Sequence, residues 1–382
     1  MTGRPADAAV PTRGANAASA PARHEAVACD ACLRRTALVT ALSGRLDVEW
    51  RRRDAAARVL ALPDEDLLAI ATPGIRRALE RFEADRARAA AERAEVALVC
   101  RCAGAYPPRL RALPDPPAVL HVVGDPAALT VTDGVAVVGA RRATGYGLEV
   151  ARALGRGLSL AGVPVVSGLA LGVDAAAHQG ALEGHGRPIA VLAAAPQVAY
   201  PSRNRVLHAA VAERGAVVSE LPPGASAFRW CFVARNRIVA ALAQIAVIVE
   251  AAGRSGSLTT ADFAADLGCT VAAVPGRVTN RTAAGTNGLI QSGAALVRDS
   301  GDVLDLLAEA TGEARRTPAR PEPPQLAPEL RGLLAAVEDG RGALGELASS
   351  PEEAKAVLAG LGELEFRGLV RRTFGGRYEP AA

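Results

Sequence analysis

The fold of this chain is decided by the stretch VAVVGARRATGYG, residues 135–147. Its first four residues form a continuous apolar run, which is typical of a strand buried on both faces. The glycines and arginines that follow lead into a helical pattern over residues 146–160. Gly139 lets another backbone approach closely, and amide groups at a helix start point towards bound anions. The stretch does not match G-x-G-x-x-G, and no Walker A sequence occurs, so a nicotinamide or P-loop nucleotide site is not expected.

The same alternation of strand and helix continues from here to about residue 307. Further short apolar runs lie at residues 164–166, 189–192, 216–218, 245–249 and 270–274. Helical patterns separate them at residues 173–183, 204–213, 235–242 and 259–267. Strands that alternate with helices of this length predict an α/β fold with a Rossmann-like, doubly wound and mostly parallel sheet.

The remaining sequence predicts smaller segments on either side of this domain, which we place at residues 101–310. Residues 1–26 lack periodicity and are expected to be a disordered tail. Residues 27–100 predict a helical, SAM-like domain, in which ATPGI at 71–75 resembles a helix-hairpin-helix turn, although we favour an ordinary turn between helices. Residues 311–326 read as a proline-rich linker. Residues 327–382 predict three helices and a hairpin, which suggests a winged helix.

Composition limits the compartment and the kind of core. Half of the 382 residues are apolar but only 3% are aromatic, so groups that stack on bases are scarce. No apolar run is long enough to cross a bilayer, and the N-terminus lacks a secretory signal. Six cysteines without such a signal are typical of a reducing compartment. We therefore expect a cytoplasmic protein with no membrane insertion.

The cysteines form two close pairs and two isolated residues. Cys29 and Cys32 are separated by two residues, whereas Cys100 and Cys102 are separated by one. These four thiols could form a structural zinc site, but the tight second pair and the 67 residues between the pairs depart from common spacings. The sequence leaves this question open, and no cofactor or metal is included in the expected function. Cys231 and Cys269 are interpreted as core residues.

Small, polar and basic residues follow each predicted strand, where ligands bind in an open parallel sheet. Residues 131–308 contain 15 arginines and 12 acidic residues, a net charge of only +3. Nine arginines nevertheless lie in or beside the post-strand loops: Arg141, Arg142, Arg203, Arg205, Arg235, Arg237, Arg254, Arg277 and Arg281. Arginines spread over several loops suit a nucleic-acid strand better than one small nucleotide. Alternatively, some of them pair with Glu220, Glu250 or the acidic helices.

The ordered motifs of these loops resemble the DNA-processing protein A (DprA, also called Smf) family. They are residues 137–147, SGLALGVDAAAH, Tyr200-Pro201, Ser219-Glu220, RNRIVA, Glu250 with SGSLTTA, Pro275-Gly276 and GTNGLIQSGA. YPPRLRALPDPPAVLHVVG, from Tyr106, resembles the lead-in segment of the family. The resemblance covers roughly residues 106–307.

The resemblance implies an extended Rossmann-like fold that binds single-stranded DNA and forms homodimers. It also implies a mediator, without catalysis, that loads the RecA recombinase during natural transformation. In this family pattern Arg141 would grip the DNA backbone, assisted by the Gly139 loop, the Ser167-Gly168 turn and a basic group after Tyr200-Pro201. Asn236, Arg237 and Ser255 would shape the same pocket.

The loops that follow the strands and the family resemblance together define the candidate site. The candidate DNA-binding residues are Gly139, Arg141, Arg142, Thr144, Ser167, Gly168, Arg203, Asn204, Arg205, Arg235, Asn236, Arg237, Ser255 and Gly256. Those interpreted as structural support of the site are Asp174, His178, Glu220 and Glu250. Asp174 and His178 share a helix face and suggest an acid–base pair, but we favour an aspartate that orients a histidine for structural reasons.

The sequence differs from the family pattern at three places, and an enzyme family with the same fold offers an alternative function. Ala140 replaces a usual serine, residues 193–195 are alanines where the family is glycine-rich, and a proline before RNR is missing. The alternative is a nucleotide phosphoribohydrolase-like enzyme, whose PGGxGTxxE loop carries a glutamate for acid–base chemistry. Residues 253–261 contain no such carboxylate.

The C-terminal residues 327–382 carry a net charge of −2, so we do not expect them to read a DNA groove.

Overall fold

The computed structural model describes residues 28–49, 55–130, 132–315, 326–373 and 375–380, so the predicted N-terminal tail lies outside the described residues. Six helices form the N-terminal part: α1 (Asp30–Ala41), α2 (Ser43–Glu49), α3 (Ala55–Ala61), α4 (Asp64–Ala69), α5 (Pro73–Glu80) and α6 (Ala84–Arg93). The predicted break between α4 and α5 is present, and the side chain of Thr72 caps α5 by accepting from the amide of Ile75.

The central part alternates strands and helices, as the apolar runs predicted. Its elements are β1 (Ala97–Cys100), α7 (Pro108–Arg111), β2 (Val119–Gly124), β3 (Val135–Val138), α8 (Gly145–Leu160), β4 (Val165–Ser167), α9 (Val173–Glu183), β5 (Ile189–Val191), α10 (Arg205–Arg214), β6 (Ala216–Ser219), α11 (Arg229–Ala241), β7 (Ile245–Ile248), α12 (Leu258–Asp266), β8 (Thr270–Ala273), α13 (Ala284–Gln291), β9 (Ala295–Leu296) and α14 (Ser300–Thr311).

The nine strands form one sheet in the order β1-β2-β6-β5-β4-β3-β7-β8-β9. All neighbours from β6 to β9 are parallel, whereas β2 is antiparallel to both β1 and β6. The α/β, Rossmann-like fold with a mostly parallel sheet is therefore confirmed. Strand β1 belongs to this sheet, so the boundary predicted at residue 100 lies four residues too far along the chain.

Two helical layers cover the sheet, and β3 shows how. Val135 and Val137 pack into a core with α8, α9 and α14, whereas Ala136 and Val138 pack on the other face with α11 and α12. Successive side chains of a strand point to opposite faces, so a strand between two layers must be apolar throughout. This burial explains the unbroken VAVV run.

The C-terminal part has a core of its own. It consists of α15 (Pro328–Glu338), α16 (Leu344–Leu347), α17 (Pro351–Phe366) and a hairpin of β10 (Val370–Arg372) and β11 (Tyr378–Pro380). Leu361 and Leu364 of α17 pack with Val337, Val370 and Tyr378. Three helices followed by a small sheet appear in the predicted order. Most of the predicted linker, residues 316–325, lies outside the described part.

No helix in the described residues combines the length and the apolar character that crossing a membrane requires.

Candidate nucleic-acid interface

The candidate site lies at the point where the winding of the sheet reverses. Strands β3 and β7 are neighbours, β4, β5 and β6 continue on one side, and β8 continues on the other. The loops after β3 and β7 therefore diverge and leave a crevice at the carboxyl ends of the strands, where open α/β sheets bind ligands. The post-strand arginines of the sequence all belong to loops or helices that begin at this edge.

Glu250, at the end of β7, fixes the loop that follows β3. Its backbone carbonyl accepts from Ala140 N at 2.7 Å, and its carboxylate accepts from Thr144 N at 2.8 Å and from Thr144 Oγ1 at 2.6 Å. Thr144 also caps α8 by accepting from Gly147 N. Two amides at the start of α8, those of Thr144 and Gly147, are therefore already bonded to Glu250 and Thr144, and phosphate binding at this helix start stays a prediction. The supporting position predicted for Glu250 agrees with these contacts.

A second buried network fixes the loop that follows β4. Gly168 N donates to Asp174 Oδ2 at 3.1 Å, and Gly168 O accepts from Arg235 Nη1 at 2.7 Å. Asn204 Nδ2 donates to Leu169 O at 2.8 Å, and the hydroxyl of Ser167 donates to Val137 O at 2.7 Å. These polar groups are buried and bonded to protein. Ser167, Gly168 and Asn204 therefore shape the loop, and their assignment as DNA-binding residues is corrected because their polar groups are already bonded to protein.

The RNR segment lies within a helix, whereas the sequence analysis placed it at a helix start. Helix α11 begins at Arg229, so residues 235–237 fall in its second and third turns and are buried. Arg235 donates to the carbonyls of Gly168 and Val191. Asn236 donates to Gly256 O at 3.2 Å and to Thr259 Oγ1 at 2.7 Å. All three side chains are buried because α11 packs against both the core of the sheet and the N-terminal helices, and their assignment as DNA contacts is corrected.

Arg237 is the centre of a buried ionic cluster. Its guanidinium lies 2.9 Å from Asp115 Oδ2 and 2.8 Å from Glu220 Oε2, and its side chain is 3% exposed. Burial raises the pKa of Asp115, and the charge of Arg237 opposes that rise. Glu220 thus pairs with an arginine, as the alternative interpretation of the arginines proposed. The cluster joins α11 to β6 and to the segment before β2.

Seven of the nine post-strand arginines remain on the surface. They are Arg141, Arg142, Arg203, Arg205, Arg254, Arg277 and Arg281. Among the described residues, none of the seven forms a salt bridge with a carboxylate. Several arginines elsewhere on the domain surface form salt bridges, such as Arg152 with Glu183 and Arg187 with Asp125. The carboxyl edge of the sheet therefore carries uncompensated positive charge.

A pair of aromatic rings lies next to Arg141, although neither ring is among the candidate DNA-binding residues of the sequence. The guanidinium of Arg141 is 5.4 Å from the centre of the Phe232 ring, and the rings of Phe232 and Tyr200 are 5.4 Å apart. Tyr200 is 48% exposed. An exposed tyrosine in a loop after a strand, in a chain with few aromatic residues, was the available signal. The three side chains offer a π surface next to a positive charge.

Asp174 and His178 are both fully enclosed and do not form an accessible acid–base pair. Burial raises the pKa of Asp174, and the charge of Arg235 and three backbone amides oppose that rise. Burial, with the nearby Arg235, lowers the pKa of His178 to about 4. No hydrogen bond between Asp174 and His178 is present in the described part. The expectation that Asp174 orients His178 is therefore corrected, because Asp174 binds the 168–170 loop instead.

A cleft of about 750 Å³ extends the interface past α8. Thr144, Glu250 and Asn280 line it, and Tyr146 and Arg277 lie at its walls. The neighbouring loop holds Ser255 and the exposed Gly256, and the hydroxyls of Ser255 and Ser257 are 2.8 Å apart. These two candidates thus reach the same edge as the exposed arginines.

Comparison with known proteins identifies the central part of the chain. Residues 97–308 match the family described as DNA recombination-mediator protein A, and the match begins at β1. A curated DNA processing protein DprA relative from Mycobacterium tuberculosis is 43% identical over 205 residues, which are 52% of this chain and 52% of the relative. The chain thus spans about half the length of the curated relatives it matches.

Two solved structures of DNA processing protein A share the fold. The protein from Streptococcus pneumoniae aligns with a TM-score of 0.60 and 30% identity, over 72% of this chain and 95% of the other. The protein from Helicobacter pylori aligns with a TM-score of 0.50 and 31% identity, over 53% of this chain and 93% of the other. The Helicobacter structure is described as showing a single-stranded DNA binding mode.

Proposed function

The chain belongs to the DNA recombination-mediator protein A family, and from this premise we propose that the carboxyl edge of its sheet binds single-stranded DNA. The observation that carries the proposal is the set of seven exposed arginines without carboxylate partners in the described residues. Guanidinium groups bind phosphates and release condensed counterions, which supplies most of the affinity for a nucleic-acid backbone. The arginines follow four different strands, so together they match an extended polyanion.

Preference for a single strand is supported by the aromatic pair. Bases of a single strand expose their faces, and each base that stacks on an aromatic ring contributes about 1–3 kcal/mol. Tyr200, packed on Phe232, presents such a ring within reach of the Arg141 guanidinium. A duplex buries its base faces and gains nothing from this surface. Phosphate contacts by Arg141 and stacking on Tyr200 would act on the same nucleotide or on adjacent ones.

The wider role extends the same proposal. We infer a recombination mediator that loads the RecA recombinase on single-stranded DNA during natural transformation, acts as a homodimer in the cytoplasm and performs no catalysis. The absence of catalysis is supported by residues 253–261. The phosphoribohydrolase-like alternative requires a glutamate in this segment, whereas the segment here contains no carboxylate and ends in the buried Ala261. The C-terminal part, interpreted as a winged helix, is expected to contact protein.

The decisive experiment is a salt series of fluorescence anisotropy with single- and double-stranded oligonucleotides of equal length. We expect the wild type to prefer the single strand. Arg141→Ala should weaken binding and reduce the slope of log K against log salt by about 0.7 for each phosphate that the variant no longer neutralises. Tyr200→Ala should weaken single-strand binding by about 1–3 kcal/mol without changing the slope. The matched control is Arg152→Ala, which removes a paired arginine from α8 outside this edge. Equal affinity for both forms of DNA would refute the proposal.

A further inference from the structure

Four cysteines from two distant segments meet where the helical part joins the sheet. Cys29 precedes the first residue of α1, Cys32 lies in its first turn, Cys100 ends β1, and Cys102 lies in the turn that follows. The sulfurs of Cys29, Cys32 and Cys100 all lie within 4.8 Å of one another. Cys102 Sγ is 3.7 Å from Cys32 Sγ. The fold has therefore brought together the two pairs that 67 residues of sequence separate.

The sulfur separations suit four ligands around one ion. Zinc in structural sites is held by thiolates at about 2.3 Å in a tetrahedron, so its ligand sulfurs lie about 3.8 Å apart. The distance between Cys32 and Cys102 already has this value, and the sulfurs of Cys29, Cys32 and Cys100 need to approach one another by at most about 1 Å. Cys102 is not within 4.8 Å of all three, so its exposed side chain has to turn further towards Cys29 or Cys100 when an ion binds. A disulfide needs sulfurs at about 2.05 Å, and all four residues are free thiols here.

The backbone holds both cysteine pairs in place. Leu33 N donates to Cys29 O at 3.1 Å at the start of α1, and Ala103 N donates to Cys100 O at 2.9 Å in the turn after β1. The strand end is tied to its neighbour, because Arg101 N donates to Ala118 O at 3.0 Å. The separations therefore follow from ordered main chain on both sides of the cluster.

The surroundings provide both a dry shell and a compensating charge. Cys32 and Cys100 are buried among Ala28, Leu33 and Val119, whereas Cys102 is exposed and leaves a route for an ion to enter. Four thiolates around a divalent ion carry a net charge of −2. Two arginines lie next to the cysteine pairs. Arg88 donates to the carbonyl of Ala28 but also pairs with Asp30 and Asp85, whereas Arg111, among the described residues, donates only to the carbonyls of Arg101 and Ala103. Arg111 is therefore the cation available to offset this charge.

We propose that Cys29, Cys32, Cys100 and Cys102 bind one Zn²⁺ as a closed structural site. The ion links the first helix of the N-terminal part to the edge strand of the sheet. It sits outside the arginine-rich edge, so it fixes how the two parts are joined and takes no part in binding DNA. This inference does not depend on the proposed function.

The test begins with the metal content of the full chain, purified under reducing conditions from cells grown with added zinc. We expect about one zinc per chain by mass spectrometry of the metal. Cys102→Ser should lose most of this zinc, and its exposed position makes a folding failure less of a concern. Cys231→Ala, a buried cysteine of α11 outside the cluster, is the matched control and should retain the zinc.

A second measurement covers the case in which the serine variant folds poorly. Co²⁺ bound to the wild-type chain should give the intense thiolate charge-transfer bands and visible bands of a tetrahedral thiolate site. A strong chelator should lower the Tm of the wild type and of Cys231→Ala. Zinc content at background in the wild type, equal zinc in Cys102→Ser and the wild type, bound iron with inorganic sulfide, or a disulfide among the four cysteines in the protein as isolated would each overturn the proposal.

Discussion

Single residues at this edge divide into those that hold the loops and those that face solvent. Glu250, Asp174 and Arg235 use their charges on backbone atoms and hydroxyls of neighbouring loops. Arg141 uses none of its hydrogen-bond donors on a carboxylate in the described part of the chain. The loops that carry the arginines proposed to bind phosphate are therefore fixed by a buried layer of polar groups.

Gly172 is the residue at which a single methyl group should disturb this layer. It has φ = +82°, and a Cβ there would collide with the carbonyl oxygen of Ala140, next to Arg141. We expect Gly172→Ala to weaken single-strand binding at least about fivefold, or 1 kcal/mol, because the loop after β3 must shift. The control is Gly162→Ala, since Gly162 has φ = +74° but open space around it. Both variants incur the cost of positive φ, about 1–2 kcal/mol. Equal DNA affinity in the two variants would contradict the prediction.

His178 should make the stability of the fold depend on pH. Its pKa is about 4 in the folded chain and 6.5 in the unfolded chain. Below pH 6.5 the unfolded chain therefore binds the additional proton first, and the free energy of unfolding falls as the pH drops towards 4. The loss from this residue approaches about 3 kcal/mol at pH 4.

Chemical unfolding at several pH values tests this expectation through the difference between the wild type and His178→Met. Buried acids such as Asp174, whose pKa is raised, act in the opposite direction and cancel in that difference. The difference in the free energy of unfolding between the two proteins should narrow, or change sign in favour of His178→Met, as the pH falls from 6.5 to 4. A gap that is independent of pH would contradict the assignment of a buried neutral histidine.

At the scale of elements, the strands could be predicted from the sequence and helix α11 could be only partly predicted. Each parallel strand from β3 to β7 is buried along its whole length, and β8 is buried in its second half, so a short apolar run marks each strand within a residue or two. The first turns of α11 are different, because Trp230, Cys231 and Ala234 are buried against the N-terminal helices. A helix covered on several sides has no polar face, so its periodicity is hidden.

The displaced start of α11 explains the errors at the site. A helix starting at residue 235 would present the RNR arginines at the sheet edge, whereas one starting at Arg229 carries them into the interior. Strands β1 and β2 were missed for another reason, since they form an antiparallel edge outside the alternating pattern. The exposed arginines of the loops, by contrast, were identified correctly as lying on the surface because no later packing covers them.

One pair of variants distinguishes the buried Arg237 of α11 from the exposed arginines of the loops. Arg237→Met removes the partner of Asp115 and Glu220 in a buried site and should cost about 3–5 kcal/mol of unfolding free energy. Arg277→Met changes an exposed side chain and should stay within about 0.5 kcal/mol of the wild type while weakening DNA binding. Urea unfolding and anisotropy, measured on both variants, test the pair. A stable Arg237→Met protein with reduced DNA affinity would reverse the assignment made from the structure.

At the scale of the whole molecule, the C-terminal part is a separate unit with its own core. Its sequence carries seven basic and nine acidic residues, so it offers little attraction to a polyanion. Removal of residues 327–382 should therefore change single-strand affinity by less than about threefold. Anisotropy at one salt concentration with the full and shortened chains is sufficient. A loss of tenfold or more would show that this part contributes to the DNA interface.

The buried layer beneath the arginines has a consequence for how this surface tolerates change. Because Glu250, Asp174 and Arg235 fix the loops from below, the guanidinium groups above them are independent of one another and of the core. Substitutions at separate exposed arginines should then combine additively, as distant sites without shared partners do. If the edge binds a polyanion as proposed, its affinity is a graded property that each exposed arginine adjusts separately while the fold is preserved.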